Sequence, residues 1–220
     1  VTSFPEFLFG TERKRAYPNV FPLLLKLIDA NEVLSVQVHP SDKKAKELGE
    51  NDSGKTEMWY ILEARPNSFI YIGLKKNVKK QHLLKEIQHQ GDVERLLNKV
   101  YVKHGEHYLI PPGTVHAIGP GILLSEIQQN SNLTYRLYDW NRRDSNGLER
   151  EIHLQKAIDS IEEHETSVPA HKVEIHHPFG LEKYLCSTPY FIAKYWSIDK
   201  ESKIWNGYYT FHIILGLKET

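Results

Sequence analysis

The chain has 220 residues, with 28 Lys plus Arg against 28 Asp plus Glu, so its formal charge is zero. That balance leaves no basic surplus to neutralise a nucleic-acid backbone and no polybasic tail for a lipid surface. The longest apolar runs, "FPLLLKLI" and "FHIILGL", are too short to cross a bilayer, and the single cysteine, Cys186, excludes an intramolecular disulfide framework and fits a reducing compartment.

Short apolar runs bounded by Gly, Pro, Asn and Asp predict strands near 22–29, 33–39, 56–63 and 69–74, with Pro66-Asn67 turning a hairpin between the last two. Further strands are expected near 100–103, 107–110, 115–118, 122–128 and 134–140. Three helical stretches interrupt them. "SDKKAKELG" opens on capping residues and ends at Gly49, "NVKKQHLLKEIQHQ" sets Leu83, Leu84 and Ile87 on one stripe with "DVERLLNKV" helical after Gly91, and "REIHLQKAIDSI" is the third. Polar, proline-broken "EEHETSVPAH" reads as a linker near 162–171, followed by strands near 183–187, 190–198 and 207–216. No signal-peptide pattern opens the chain. A first residue other than Met and a strand-like run at the other end read as the ends of a fragment. The pattern is mainly β, a jelly roll or barrel with helices added.

Side chains alternate faces along a strand, so Gln37 and His39 share one face, opposite Val36 and Val38. The same rule groups Lys55, Glu57, Trp59 and Ile61, and sets His116 just beyond the turn of "LIPPGTVHAIG". Two imidazoles, a carboxylate and an amide oxygen suit zinc or a similar divalent ion. With one carboxylate among neutral ligands the ion keeps about one positive charge, as an open catalytic site requires, whereas structural zinc more often uses thiolates. Either histidine alone reads equally well as a hydrogen-bonded core residue. Glu126 and Gln128 share a face of one strand, and Thr134, Arg136 and Tyr138 a face of the next. An arginine inside "LTYRLYDW" is costly to bury unless an oxyanion meets it, and the internal partner it would otherwise take is Glu126.

In this order "SVQVHPSD", "GKTEMWYIL", "LIPPGTVHAIG", "EIQQNSNLTYRLYDW" and "NGLEREIHLQKAI" resemble the type I mannose-6-phosphate isomerases in their short bacterial form, members of the cupin superfamily. The likeness runs from about Phe21 to Ile158. It implies one zinc ion per chain, held by Gln37, His39, Glu57 and His116. It implies Arg136 as an active-site arginine, Lys55 and Glu126 facing the substrate, and Ser35 near the sugar phosphate. The implied fold is a cupin jelly roll over 1–161 with a helical insertion near 77–98, then an incomplete second cupin-like β domain over 172–220. The implied reaction interconverts mannose 6-phosphate and fructose 6-phosphate through a cis-enediol in a cytoplasmic monomer.

Glu126 and Lys55 both stand as candidates for the carrier of the proton. Family members commonly have an aspartate where this chain has Asn132, which cannot titrate. The alternative is a catalytically inactive or truncated cupin that binds metal and sugar phosphate. An iron oxygenase on the same ligands is opposed by Gln37 and Glu57, with Arg136 and Lys55 beside them. The other conspicuous residues have plainer readings. His82, His89, His104 and His107 are solvated, and His176-His177 has no partner acid. Trp59, Trp140, Trp196 and Trp205 form core or pocket wall, and Cys186 is a small buried side chain.

Overall fold

The computed structural model describes residues 21–162, 173–201, 203 and 211–217. The first stretch carries nine strands: β1 (Leu23–Ala30), β2 (Val36–Val38), β3 (Glu57–Ala64), β4 (Phe69–Leu74), β5 (Leu97–Tyr101), β6 (His107–Ile110), β7 (His116–Ile118), β8 (Ile122–Gln129) and β9 (Tyr135–Tyr138). They form two antiparallel sheets, ordered β1-β8-β3-β6 and β5-β4-β7-β2-β9. Helices α1 (Asp42–Glu47), α2 (Lys80–Gln88) and α3 (Leu154–Ser160) are short. The expected mainly β fold with added helices is what forms.

Alternation decides what each face buries. Ile70, Ile72 and Ile118 of the five-stranded sheet meet Trp59, Ile61, Ile122 and Leu124 of the four-stranded one, giving an apolar core between the sheets. The opposite side chains, Val36, Val38, Tyr71, Ala117, Tyr135 and Leu137, face outward and are covered by Leu83 of α2 and by Ala157 and Ile158 of α3. The valines flanking Gln37 thus pack behind the sheet, as their spacing required. Leu83 is fully buried in this layer. Leu83→Ala should cost roughly 2–5 kcal/mol in urea unfolding; a loss too small to measure would mean that α2 contributes little to the outer core.

Several elements differ from expectation. The turn at Pro66-Asn67 exists, with Asn67 at φ 67° and the Ser68 N–H donating to the Arg65 carbonyl at 3.0 Å. It joins the two sheets and makes no hairpin, because both edges of β3 are taken by β8 and β6 and both edges of β4 by β5 and β7. "DVERLLNKV" is no helix. A single 3-10 turn at Glu94–Leu96 gives way to β5, whose backbone pairs with β4 and whose Leu97 is buried. The strand expected over 33–39 is only three residues long, so His39 lies just past its end.

The second stretch forms a separate three-stranded sheet, β10 (Val173–His177), β11 (Gly180–Ser187) and β12 (Ile192–Ile198), in that order. β10 was not expected, since "VEIHH" carries no run of apolar residues. Residues 211–217 have no regular structure, against the strand expected over 207–216. The linker expectation falls almost wholly on 163–172, and Trp205 on 204–210; both lie outside the described residues. The chain divides into two compact units. The larger runs from Leu23 through α3 and includes Tyr184–Lys194; the smaller holds Val173–Lys183 and the described residues from Tyr195 on. No helix among the described residues is long and apolar enough to cross a membrane.

Candidate metal centre

Three chain segments deliver the cluster. His39 follows β2, its carbonyl accepting the Gly113 N–H at 2.8 Å from the turn before His116. Gly113 sits at φ +82°, and an added Cβ would lie 2.7 Å from Glu162 Cβ, so the turn needs glycine both in conformation and in space. His116 then opens β7, and Glu57 opens β3 opposite Gln128. The ligand atoms of His39, Glu57 and His116 all lie within 4.8 Å of one another. The three side chains are 1%, 0% and 0% exposed, so solvent cannot satisfy them.

The electrostatics of the cluster suit a bound cation. His39 Nδ1 is 2.8 Å from the Leu133 carbonyl and His116 Nδ1 is 2.9 Å from the Thr114 carbonyl. A carbonyl only accepts, so each Nδ1 carries its proton and each Nε2 presents a lone pair to the centre. Those Nε2 atoms stand 3.3 and 3.4 Å from the two Glu57 oxygens. Neither Glu57 oxygen, nor His116 Nε2, has a hydrogen-bond partner. Buried polar atoms are almost always paired, and lone pairs aimed at a carboxylate repel unless a positive charge lies between them. The Lys55 ammonium supplies one beside His39 Nε2 and Glu57 Oε2, at 3.1 and 3.2 Å, and leaves Glu57 Oε1 and His116 Nε2 without one. Burial pushes His39 down to about 4 and His116 below its ordinary value. For Glu57 burial acts upward, but the positive charge around it, the buried Lys55 ammonium at 3.2 Å included, outweighs it and holds the carboxyl well below the usual range. Neutral imidazoles and an ionised carboxylate are the protonation states that a metal ion binds.

The other expected site residues fall around this cluster. Gln37 pairs with His116 on one neighbouring strand and with Arg136 on the other, and cross-strand partners share a face. Lys55 Nζ lies 3.1 Å from His39 Nε2 and 3.2 Å from Glu57 Oε2. Ser35 is buried just ahead of β2. Arg136 does not pair with Glu126. Its Nη1 donates to the Glu151 carbonyl at 2.7 Å, and its Nε is buried without a partner. Glu126 instead receives Trp59 Nε1 at 3.0 Å and Lys26 Nζ at 2.9 Å, and the same ammonium donates to Gln128 Oε1 at 2.5 Å. Lys26 was missed in the sequence. Its signal was a lone cation at an inward-alternating position of "LLLKLIDA", and its partners lie a hundred residues away. Asn132 is exposed, its backbone N–H donating to Asp52 at 2.8 Å.

Among the residues given plain readings, Trp59 is fully buried and Cys186 buried as expected. His107 departs from its reading: it stands half-buried on β6, and burial lowers its pKa. His177 does have a partner acid, Glu182, at 2.7 Å.

A cupin-like jelly roll with a buried histidine–carboxylate cluster suited to a divalent cation is the class these features define. The family model for the phosphomannose isomerase type I catalytic domain matches residues 8–57, which include Gln37, His39, Lys55 and Glu57. Mannose-6-phosphate isomerase ManA of Bacillus subtilis is 41% identical over 188 residues, 84% of this chain and 58% of that protein. The crystal structure of the mannose 6-phosphate isomerase from Bacillus subtilis is similar with a TM-score of 0.74 at 38% identity, over 81% of this chain and 56% of that one. A mannose 6-phosphate isomerase bound with zinc and yttrium shares the fold, with a TM-score of 0.54 at 14% identity over 84% of this chain and 65% of that one. The chain is similar to the type I mannose-6-phosphate isomerases and spans under two thirds of these relatives' length.

Proposed function

We propose that this chain is the metal-bearing part of a zinc-dependent isomerase that interconverts mannose 6-phosphate and fructose 6-phosphate through a cis-enediol. The observation that carries the reading is that His39 Nε2, His116 Nε2 and the Glu57 carboxylate gather within 4.8 Å of one another, buried, with Glu57 Oε1 and His116 Nε2 unpaired. A thiolate-free donor set of two imidazoles and a carboxylate fits a catalytic zinc better than a structural one, and one protein of the same fold is bound with zinc and yttrium. His39, Glu57 and His116 would hold it with the amide oxygen of Gln37. Within this reading, 1–161 is the catalytic cupin domain and 172–220 belongs to a second cupin-like β domain, in a cytoplasmic monomer.

An ion held there would supply Lewis-acid stabilisation of negative charge developing on the sugar's oxygens. The chain's own groups do the remainder. Arg136, with donor capacity unused on the Gln37 face, adds fixed positive charge where the enediolate develops or where the phosphate sits. Ser35 lines the phosphate end. A proton must leave C2 and return to C1. Lys55 is the favoured carrier, because its Nζ lies within 3.2 Å of both His39 Nε2 and Glu57 Oε2, next to where the substrate would meet the ion. Both Glu126 oxygens are engaged by Trp59 and Lys26, so Glu126 would have to give up a bond to act.

The test is a coupled assay for fructose 6-phosphate formed from mannose 6-phosphate, on this chain and on a longer one that completes the relatives' length. Activity should vanish on chelation and return with zinc. A longer chain that binds zinc but turns over no substrate would overturn the isomerase reading.

A further inference from the structure

The segments that hold the cluster are not kept together by sheet pairing alone. His39 lies beyond the end of β2, the chain then leaves through α1, and it returns at Gly54 just ahead of Lys55 and Glu57. We propose that Asp42 is a positioning residue for the metal centre, fastening this return to the segment that carries His39. The proposal rests on the metal reading above.

Asp42 Oδ1 accepts the Gly54 N–H at 2.7 Å and Gln129 Nε2 at 3.2 Å, while Oδ2 accepts the Tyr190 hydroxyl at 2.6 Å. Gln129 carries the link onward, its Oε1 accepting the Thr56 N–H at 2.8 Å and its own N–H donating to the Thr56 carbonyl at 3.0 Å. Between these, the Lys55 N–H donates to the Pro40 carbonyl at 3.0 Å. Residues 54, 55 and 56 are therefore each tied down immediately before Glu57. The tie depends on close approach: a Cβ on Gly54 would fall 2.3 Å from Asp42 N and 2.4 Å from Ser41 C. A single carboxylate collecting donors from three remote segments forms charge-assisted bonds, roughly twice as strong as neutral ones.

The plain alternative is that Asp42 merely serves the start of α1, where an acidic residue is favoured. The hydrogen-bond cap is supplied by Ser41, whose Oγ accepts the Lys44 N–H at 3.2 Å, and a favourable charge at the helix start needs no bonds to remote donors. The oxygens of Asp42 go to Gly54, Gln129 and Tyr190 instead.

The experiment loads the full chain with Co²⁺ and reads the dissociation constant by chelator competition together with the visible spectrum of the bound ion. Asp42→Ala should weaken cobalt binding about tenfold, the low end for loss of an outer partner, and shift the spectrum. Asp42→Asn keeps an oxygen that can accept from Gly54 and Gln129 and should restore both. Asp42 is exposed on its outer side, so the variants should fold; Asp42→Ser, too short to reach Gly54, replaces the alanine variant if it does not. Wild-type affinity and spectrum in Asp42→Ala overturn the proposal whatever happens to its melting temperature, and so does an Asp42→Asn no better than alanine. Failure of the wild-type chain to bind cobalt at all would instead overturn the metal reading beneath it.

Discussion

Glu57→Gln is expected to end stoichiometric zinc binding while leaving a folded chain. Glu57 is the only anionic member of the cluster and is fully buried. An amide of the same shape keeps one oxygen but removes the charge, leaving neutral donors to bind a dication. The affinity should fall by more than the roughly 10–100-fold typical of losing an outer partner. The substitution also strands a neighbour. Lys55 is 5% exposed and has the Glu57 carboxylate at 3.2 Å. Removing one member of a buried ion pair costs roughly 3–5 kcal/mol, so metal-free Glu57→Gln should melt earlier than the metal-free parent. Adding Lys55→Met should recover much of that stability without recovering zinc. Chelator competition and thermal unfolding of the metal-free proteins read the two effects separately. Unchanged zinc affinity in the single variant would reduce the cluster to an ordinary buried polar network.

The second large effect belongs to Arg136. Its guanidinium spends Nη1 on the Glu151 carbonyl and leaves a buried Nε unpaired, on the side of β9 that Gln37 faces. A donor held in place without a protein partner is what stabilisation of a developing oxyanion needs. Arg136→Ala should lower kcat roughly 10²–10³-fold with zinc still bound one per chain. Arg136→Lys, keeping the charge but losing the planar fork, should recover only part. The backbone of β9 should tolerate both, because the Arg136 carbonyl keeps the His153 N–H at 2.9 Å. If KM rises while kcat stays constant, Arg136 grips the phosphate and does not act on the transition state.

Period-two alternation was enough to put Val36 and Val38 behind the sheet and Gln37 in front of it. It also placed Glu57 and Trp59 together facing inward. These are local consequences of an extended backbone, and they survived even where the strand ends moved. His39 shows the limit. Alternation put it on β2, whereas it stands one residue past the strand and is aimed by the Leu133 carbonyl.

What the amino-acid order determined by itself was the mainly β character, the inward faces of the strands, and the residue types able to bind a cation. Tertiary structure decided the partners. The Pro66-Asn67 turn bridges sheets, β5 replaces a helix because β4 offers it an edge, and Lys26 reaches Glu126, 100 positions further along the chain. It also left Glu57 without a hydrogen bond and gave Asp42 its donors from Gly54, Gln129 and Tyr190. The reason is physical: alternation and turn propensity depend on neighbours in the chain, whereas sheet edges, desolvation and charge pairing depend on which distant segments burial brings together.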